Sequence, residues 1–404
     1  MKSMVVIDGV RTPFCRSGTS LASMSAADLG HHVVTALLAR TGIDPETVDH
    51  TIFGCVCQPA ETANIARVIA LRAGIPESVP AVTVQRNCAS GLEAVTSACE
   101  KAAAGGGEIF IAGGTESMSN VPLQFPRSAA EKFVRLSKAR SFLQRLKAFS
   151  GFRPRDFKPV SALLLGLTDS VAGMNMGETA ELLAREFGIP RVDQDRFAME
   201  SHLRAAAAKD RLAEEIAPVF LEKGVVNTDN GIRPDSSEEA LARLKPAFDK
   251  ANGSVTPGNS SQISDGAAAL LIMSEDRAAH LGLKPLGRIL HWAWAGCDPK
   301  RMGLGPVAAI TAAGMDPAEA DIVEINEAFA VQVLAVLEKL GHKIPRDRLN
   351  VNGGAIALGH PVGASGARLV LTALKELNRR GGRRALVSLC IGGGQGGALW
   401  LERM

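Results

Sequence analysis

Four short stretches of this chain carry side chains able to do covalent chemistry. They are Cys88 in Asn87-Cys88-Ala89-Ser90-Gly91 (NCASG), Asn326 in NEAFA, His360 in ALGHPVGASG and Cys390 in SLCIGGGQGG. A cysteine between an apolar run (VPAVTV) and a helix-forming run (LEAVTSACEKAAA) belongs at a strand-to-helix turn. Helix starts offer unpaired N–H groups and a partial positive charge, which favour a thiolate and can hold a developing oxyanion. The bland alternative is a small buried hydrophobe, the usual fate of a free cysteine. His360, between Gly359 and Pro361 in a glycine-rich loop before a helix, can take a proton from such a thiol. An isolated histidine more often makes a structural hydrogen bond. Cys390 ends an apolar strand-like run, where active-site groups of α/β sheets gather, and a second thiol can serve as acid and base for a carbon acid. Asn326 can orient a water or an oxyanion donor, or simply cap a helix.

The elements that would position these groups occur twice. Residues 79–119 read as strand, turn, helix, glycines, strand and glycine-rich turn, and residues 349–399 repeat that grammar. In both a Ser-Gly pair opens the helix, Ser90-Gly91 and Ser365-Gly366, which puts His360 in nearly the place of Cys88. Two packed copies of one α/β unit would bring the loops to a shared seam. Two cysteines, one histidine, one asparagine and glycine-rich backbone at such a seam point to covalent acyl transfer with carbon–carbon bond making or breaking.

The domains expected are a first half over 1–120, continued by 251–281, a mostly helical loop or lid domain over 121–250, and a second half over 282–404. At 404 residues, 46% hydrophobic and 22% charged, with 41 glycines, the chain reads as a folded, loop-rich α/β enzyme. Its start (MKSMVVIDGVRTP) enters strand-like sequence without a secretory or transit pattern, so a cytoplasmic protein is expected. Seven cysteines, with Cys55-Val56-Cys57 their only close spacing, form neither a zinc motif nor a secreted disulfide framework, and no metal or dinucleotide site is expected. The net charge of +3 conceals one basic segment: residues 127–158 hold ten Lys/Arg against two Asp/Glu, a local +8 that leaves about −5 elsewhere. That segment reads as a basic amphipathic helix or pair of helices. Without tyrosine or an aromatic stacking pattern it does not read as a nucleic-acid surface.

Together the motifs NCASG, MGETAE, GNSSQISDGAAA, NEAFA, NVNGGAIALGHPVGASGAR and LCIGGGQGGA, in that order along nearly the whole chain, resemble those of thiolases, the acetyl-CoA acyltransferases. The resemblance implies the thiolase fold, with two pseudo-symmetric βαβαβαββ halves in a five-layer αβαβα arrangement plus an inserted helical loop domain. It implies that Cys88 becomes acylated and that His360 activates it and contributes to an oxyanion site in which Asn326 holds a water. Cys390 would be the acid and base at the acetyl-CoA carbon, and the N–H groups of Cys88 and Gly392 a second oxyanion site. Coenzyme A enters as substrate, with no resident cofactor, along Met176, Arg233, Leu244, Phe248, Ser261, Ala328 and Phe329. The activity implied is cleavage of 3-oxoacyl-CoA by CoA in fatty-acid β-oxidation. Condensation of two acetyl-CoA, or a non-catalytic acyl-CoA carrier on the same fold, are the alternatives. A decarboxylating ketosynthase would want a histidine at Asn326.

Members pair through the first-half sheet, so a homodimer or homotetramer is expected. The insertion is similar to that of the thiolase subunit of β-oxidation complexes. There 127–158 would meet a hydratase/dehydrogenase subunit or a membrane surface, or else form a solvated basic face that steers anionic CoA esters. Asn326, where such subunits commonly carry histidine, counts against membership of a complex.

Overall fold

The computed structural model describes residues 2–404. The first half contributes strands β1 (Met4–Arg11), β2 (His50–Gly54), β3 (Ala81–Val84), β4 (Ile109–Ser117) and β5 (Ser264–Ser274). The second contributes β6 (Gly287–Gly296), β7 (Ile322–Ile325), β8 (Arg384–Ile391) and β9 (Gln395–Glu402). β4 and β5 are buried along their whole length, which explains why they read mostly as apolar and small residues rather than as alternation, with Glu116 and Asp265 the charged exceptions near one end.

The two halves follow one topology. The first orders its strands β3-β2-β4-β5-β1 and the second β7-β8-β9-β6, with parallel pairs β2/β4 and β7/β8 and antiparallel pairs β4/β5 and β8/β9 in matching places. The counterpart of β3 shrinks to one parallel bridge between Val323 and Leu349. The sheets join where β1 meets β6, through Met4 with Ile289, Val5 with Arg288 and Val6 with Gly287.

Helices complete five layers. α1 (Ala26–Thr41) and α2 (Ile65–Arg72) cover the outer face of the first sheet, burying Leu29, Val33, Leu37 and Ile69 against Phe53 and Ile111. α1 starts at a capping box in which the Ser25 hydroxyl accepts from the Asp28 N–H, and ends where Gly42 takes φ of +65°. α3 (Ser90–Ala103) and the long helix Ser365–Arg380 lie back to back between the sheets. Their residues Leu92, Val95, Leu369 and Leu374 share one core with Phe110, Leu270, Val387 and Leu399 of both sheets. Gly305–Ala313 and Ala330–Lys339 cover the far face around the buried Trp400. The architecture is the mixed α/β thiolase arrangement the motifs imply.

Between β4 and β5 the chain forms α4 (Arg127–Lys138) and α5 (Phe142–Phe149), bracketed by an antiparallel pair of Leu123-Gln124 with Val160-Ser161, then the helices Met176–Glu186 and Arg191–Ala207 and a short hairpin over residues 219–226. The basic segment is thus a pair of helices. Phe133 turns inward against Phe125 and Phe152, at centroid distances of 5.0 and 4.9 Å. Phe142, Leu143, Leu146 and Phe149 stand exposed. No helix among the described residues is long and apolar enough to cross a membrane.

Candidate active site

Both helix starts of the middle layer begin where the Ser-Gly pairs put them, and glycine lets them touch. A Cβ on Gly91 would lie 2.8 Å from the Gly363 carbonyl oxygen and 2.9 Å from the Ala367 nitrogen. One on Gly366 would lie 2.3 Å from the Leu92 nitrogen. Measured from these starts, the counterpart of Cys88 is Gly363, and His360 sits three residues earlier. The loops match less closely than their sequence suggests because Pro361 to Ala364 form an extra turn, closed by N–H groups of Ala364 and Ser365 donating to the Pro361 carbonyl.

Cys88 sits in a tight turn before α3. Asn87 takes φ of +45°, a conformation asparagine tolerates. The Asn87 amide donates to the Gly392 carbonyl at 2.7 Å, tying this turn to the one after β8. The Ser90 hydroxyl donates to the Asn87 carbonyl and accepts from the Arg86 N–H. Burial pushes the Cys88 thiol above its ordinary pKa, opposed by the N–H groups of Gly392 and of Cys88 itself directed at the sulfur. Those two donors define a small polar socket.

His360 is buried, and its hydrogen bonds fix its tautomer. The Ser365 hydroxyl lies 2.6 Å from Nδ1 and 3.0 Å from the Pro361 carbonyl oxygen. The carbonyl can only accept, so the hydroxyl hydrogen goes there and Nδ1–H donates to Ser365. Nε2 then carries the lone pair, 3.3 Å from Asn326 Nδ2. Burial, reinforced by the Arg368 charge, pushes the His360 pKa down to about 3, so the ring is neutral at any working pH. Asn326 is held by its N–H on the Ser388 carbonyl, while its Oδ1 is buried without a protein partner. Ser365→Ala removes the acceptor that selects the tautomer. It is expected to lower kcat roughly 10- to 100-fold with little change in the KM for acyl-CoA, read by steady-state kinetics.

Cys390 is buried at the end of β8, packed with Met176, Ala328, Phe329 and Met302. Burial first, then the neighbouring Cys88 and Cys297 sulfurs, push its thiol far above the usual range. The proximity of Cys88 and Cys390 follows from the Asn87–Gly392 bond between their turns. Two buried acids escaped notice in the sequence. Glu116, in GGTESMS, accepts N–H groups from Val56 and Gly363 at 3.0 Å and from Cys57 at 2.9 Å, pinning the turn after His360 to the first half. Burial pushes its carboxyl up to about 7 despite these donors. Glu327, beside Asn326, accepts from Ser201, Asn350 and the Ile356 N–H. A buried acid looks like any surface acid until its partners, distant in sequence, are known.

Two cavities meet here. The larger, about 500 Å3, is lined by His360, Met176, Arg233, Phe248, Ser261 and Phe329, together with His202, which was not anticipated. His202 is buried, and its Nδ1 accepts from the Arg233 N–H at 3.2 Å. Leu244 and Ala328 stand behind this wall: Leu244 lies beneath Gly258, and the Ala328 carbonyl accepts from the Ser261 N–H. The smaller cavity, about 270 Å3, is lined by Cys88, Gly392, Asn87 and Cys57. Met118, Leu167, Met176 and Val362 line both. Cys390 and Asn326 lie beneath these surfaces rather than on them. Among the described residues no group of three His, Cys, Asp or Glu is placed to hold a metal ion.

Comparison with known proteins decides the family. The thiolase N-terminal domain family matches residues 4–276 and the thiolase C-terminal domain family residues 283–403. This chain is a thiolase. It is 45% identical over 418 residues to the 3-oxoadipyl-CoA/3-oxo-5,6-dehydrosuberyl-CoA thiolase of Escherichia coli strain K12, covering 100% of both chains. It is 43% identical over 415 residues to the acetyl-CoA acetyltransferase of Cupriavidus necator, again over 100% of both. The structure of human mitochondrial 3-ketoacyl-CoA thiolase in complex with CoA superposes with a TM-score of 0.89 at 37% identity, covering 100% of this chain and 98% of that one. As a thiolase the protein is an acyltransferase, with coenzyme A as substrate rather than resident cofactor.

Proposed function

We propose that this thiolase is an acetyl-CoA C-acyltransferase that cleaves 3-oxoacyl-CoA with CoA, in the degradative direction of fatty-acid β-oxidation. The observation that carries it is the convergence of Cys88, neutral His360 and Cys390 where a cavity large enough for a pantetheine arm meets a second, mostly apolar one. His360 Nε2 takes the Cys88 proton. The thiolate attacks the 3-oxo carbon, and its oxygen charge is received by the N–H groups of Cys88 and Gly392. The bond between C2 and C3 then breaks, leaving an acyl-Cys88 thioester and the acetyl-CoA enolate, to which the Cys390 thiol gives its proton. The enolate oxygen sits at His360 and the water Asn326 holds, for which the unpaired Asn326 Oδ1 is an available acceptor. Incoming CoA loses its thiol proton to the Cys390 thiolate and attacks the thioester, Cys88 leaves as the thiolate and takes its proton back from His360, and the shortened acyl-CoA is released.

Arg233, His202 and Ser261 suit the polar parts of CoA, and Met176, Phe248 and Phe329 its methylenes, with Leu244 and Ala328 backing them. Three domains, residues 1–120 with 251–281, 121–250 and 282–404, divide the work between them. The exposed edge strand β3, with Val82 turned outward, suits pairing of two copies into a dimer or tetramer. α5, with four exposed apolar side chains beside Arg145 and Lys147, suits a partner subunit or an anionic membrane surface in the cytoplasm. Purified protein is expected to cleave both acetoacetyl-CoA and a longer 3-oxoacyl-CoA in the presence of CoA, followed as loss of the 3-oxoacyl-CoA absorbance. Condensation of acetyl-CoA without thiolysis of longer substrates would favour the acetyltransferase reading, and inactivity on both the carrier.

A further inference from the structure

The smaller cavity distinguishes among the substrates of this chemistry. It opens at Cys88 and runs under the segment Leu163–Val171, walled by Val56, Met118, Leu163, Leu167, Val171 and Val362. That segment is closed on itself. The Asp169 N–H donates to the Met174 carbonyl, the Gly173 N–H to the Asp169 carbonyl, and the Met176 N–H to the Leu167 carbonyl. The Asp169 carboxylate, buried at 8% exposure, accepts from the Val171 and Ala172 N–H groups at 2.8 and 2.7 Å. The wall is therefore preformed. Its lining contains no Lys, Arg or His, and Asp169 is its one charged residue. Of the cations near the site, Arg16 and Arg233 line the other cavity, and Arg86 is paired with Glu93 and stacked on Trp294.

We infer that this cavity receives the acyl tail of a linear, apolar, medium-length 3-oxoacyl-CoA and rejects tails that end in a carboxylate. The inference rests on the thiolase reading above. The larger cavity takes the pantetheine arm, so the group beyond C3 must leave Cys88 on the other side, into the smaller one. Its volume of about 270 Å3 equals roughly nine water-sized groups at about 30 Å3 each. An apolar tail there gains from every buried methylene, about fourfold per group at ~0.8 kcal/mol. A terminal carboxylate would be stripped of water beside Asp169 with no cation to meet it. The Escherichia coli thiolase at 45% identity is named for 3-oxoadipyl-CoA, a substrate whose acyl tail carries such a carboxylate. On this point the two proteins diverge.

The test compares kcat/KM for acetoacetyl-CoA, 3-oxooctanoyl-CoA and 3-oxoadipyl-CoA with the purified full chain. The order expected is 3-oxooctanoyl-CoA at least tenfold above acetoacetyl-CoA and at least a hundredfold above 3-oxoadipyl-CoA. Two variants probe the wall. Gly166 lines the cavity, and a Cβ there would meet no heavy atom within 4 Å, so the position has room for the first atom of a side chain and Gly166→Phe adds bulk at the wall. It should lower 3-oxooctanoyl-CoA cleavage at least tenfold more than acetoacetyl-CoA cleavage. Leu163→Arg supplies the missing cation and should raise the ratio of 3-oxoadipyl- to 3-oxooctanoyl-CoA cleavage at least tenfold. Acetoacetyl-CoA cleavage without the expected order overturns this inference and leaves the thiolase reading standing. Failure to cleave any of the three overturns both.

Discussion

Cys88→Ala is expected to abolish thiolysis, with a loss of roughly 10⁴- to 10⁶-fold in kcat, while the fold and CoA binding survive. The position is a turn residue whose side chain faces a cavity, so removing its sulfur opens no hole in the core. The loss should coincide with disappearance of a covalent acyl adduct. Wild-type protein mixed with acyl-CoA and digested should carry the acyl mass on the peptide containing Cys88, and the variant should carry none. The electrostatics add a second signature. Buried His360 disfavours the imidazolium, and burial raises the Cys88 thiol, so the pair favours thiol and imidazole over thiolate and imidazolium. Because a raised pKa lowers the thiolate fraction at every pH beneath it, alkylation of Cys88 by iodoacetamide should be slower at pH 7 than that of an exposed thiol and should keep rising beyond about pH 8.5. A fast, flat profile from pH 6 to 8 would mean a preformed ion pair, and an adduct on another cysteine would remove Cys88 from the mechanism.

Gly91→Val is expected to be the most damaging small substitution away from the reacting atoms. Its Cβ would press on backbone atoms of the opposite helix start, which cannot swing aside as a side chain tip can. Overpacking of this kind costs about 1–3 kcal/mol, and the strain falls on the joint that sets Cys88 and the His360 loop side by side. Stability and kcat should therefore fall together, seen as a lower thermal midpoint and at least a hundredfold loss of kcat. Gly105→Ala, at a helix end with φ of +79° and open space around it, should cost some stability but leave kcat within about twofold. If Gly91→Val retains full activity, the close approach of the two helix starts is not what positions the site.

Much of this arrangement was legible in the residues. The Ser-Gly pairs marked both central helix starts, and Gly392 to Gly394 marked the turn after β8, but Gly113 and Gly114, expected in a turn, lie inside β4, where a Cβ would press on the Ala268 and Gly363 carbonyl oxygens. What escaped has a common cause. The strand expected at Leu349 is reduced to one bridge because the chain turns at Asn350, with φ of +44°, to place Asn350 on Ile325 and Glu327. Tertiary hydrogen bonds outcompeted the local pattern. Glu116 and Glu327 were silent for the same reason, since their partners lie up to 247 residues away. His202 was hidden in a helix whose sequence is otherwise ordinary amphipathic surface, and only the fold turns it toward the larger cavity. The exposed apolar face of α5, by contrast, was visible from spacing alone, because nothing in the chain folds back over it.

The junction of β1 with β6 has a consequence for how the protein comes into being. Three residue pairs join the sheets there, while the middle helices draw one shared core from both halves. Neither half alone can cover its central helix, so the first half leaves the ribosome with Leu92 and Val95 still lacking the surface that will bury them. During that interval the thiol is present and its base is not. Burial of Leu92 and Val95 and completion of the site thus both wait on the second half.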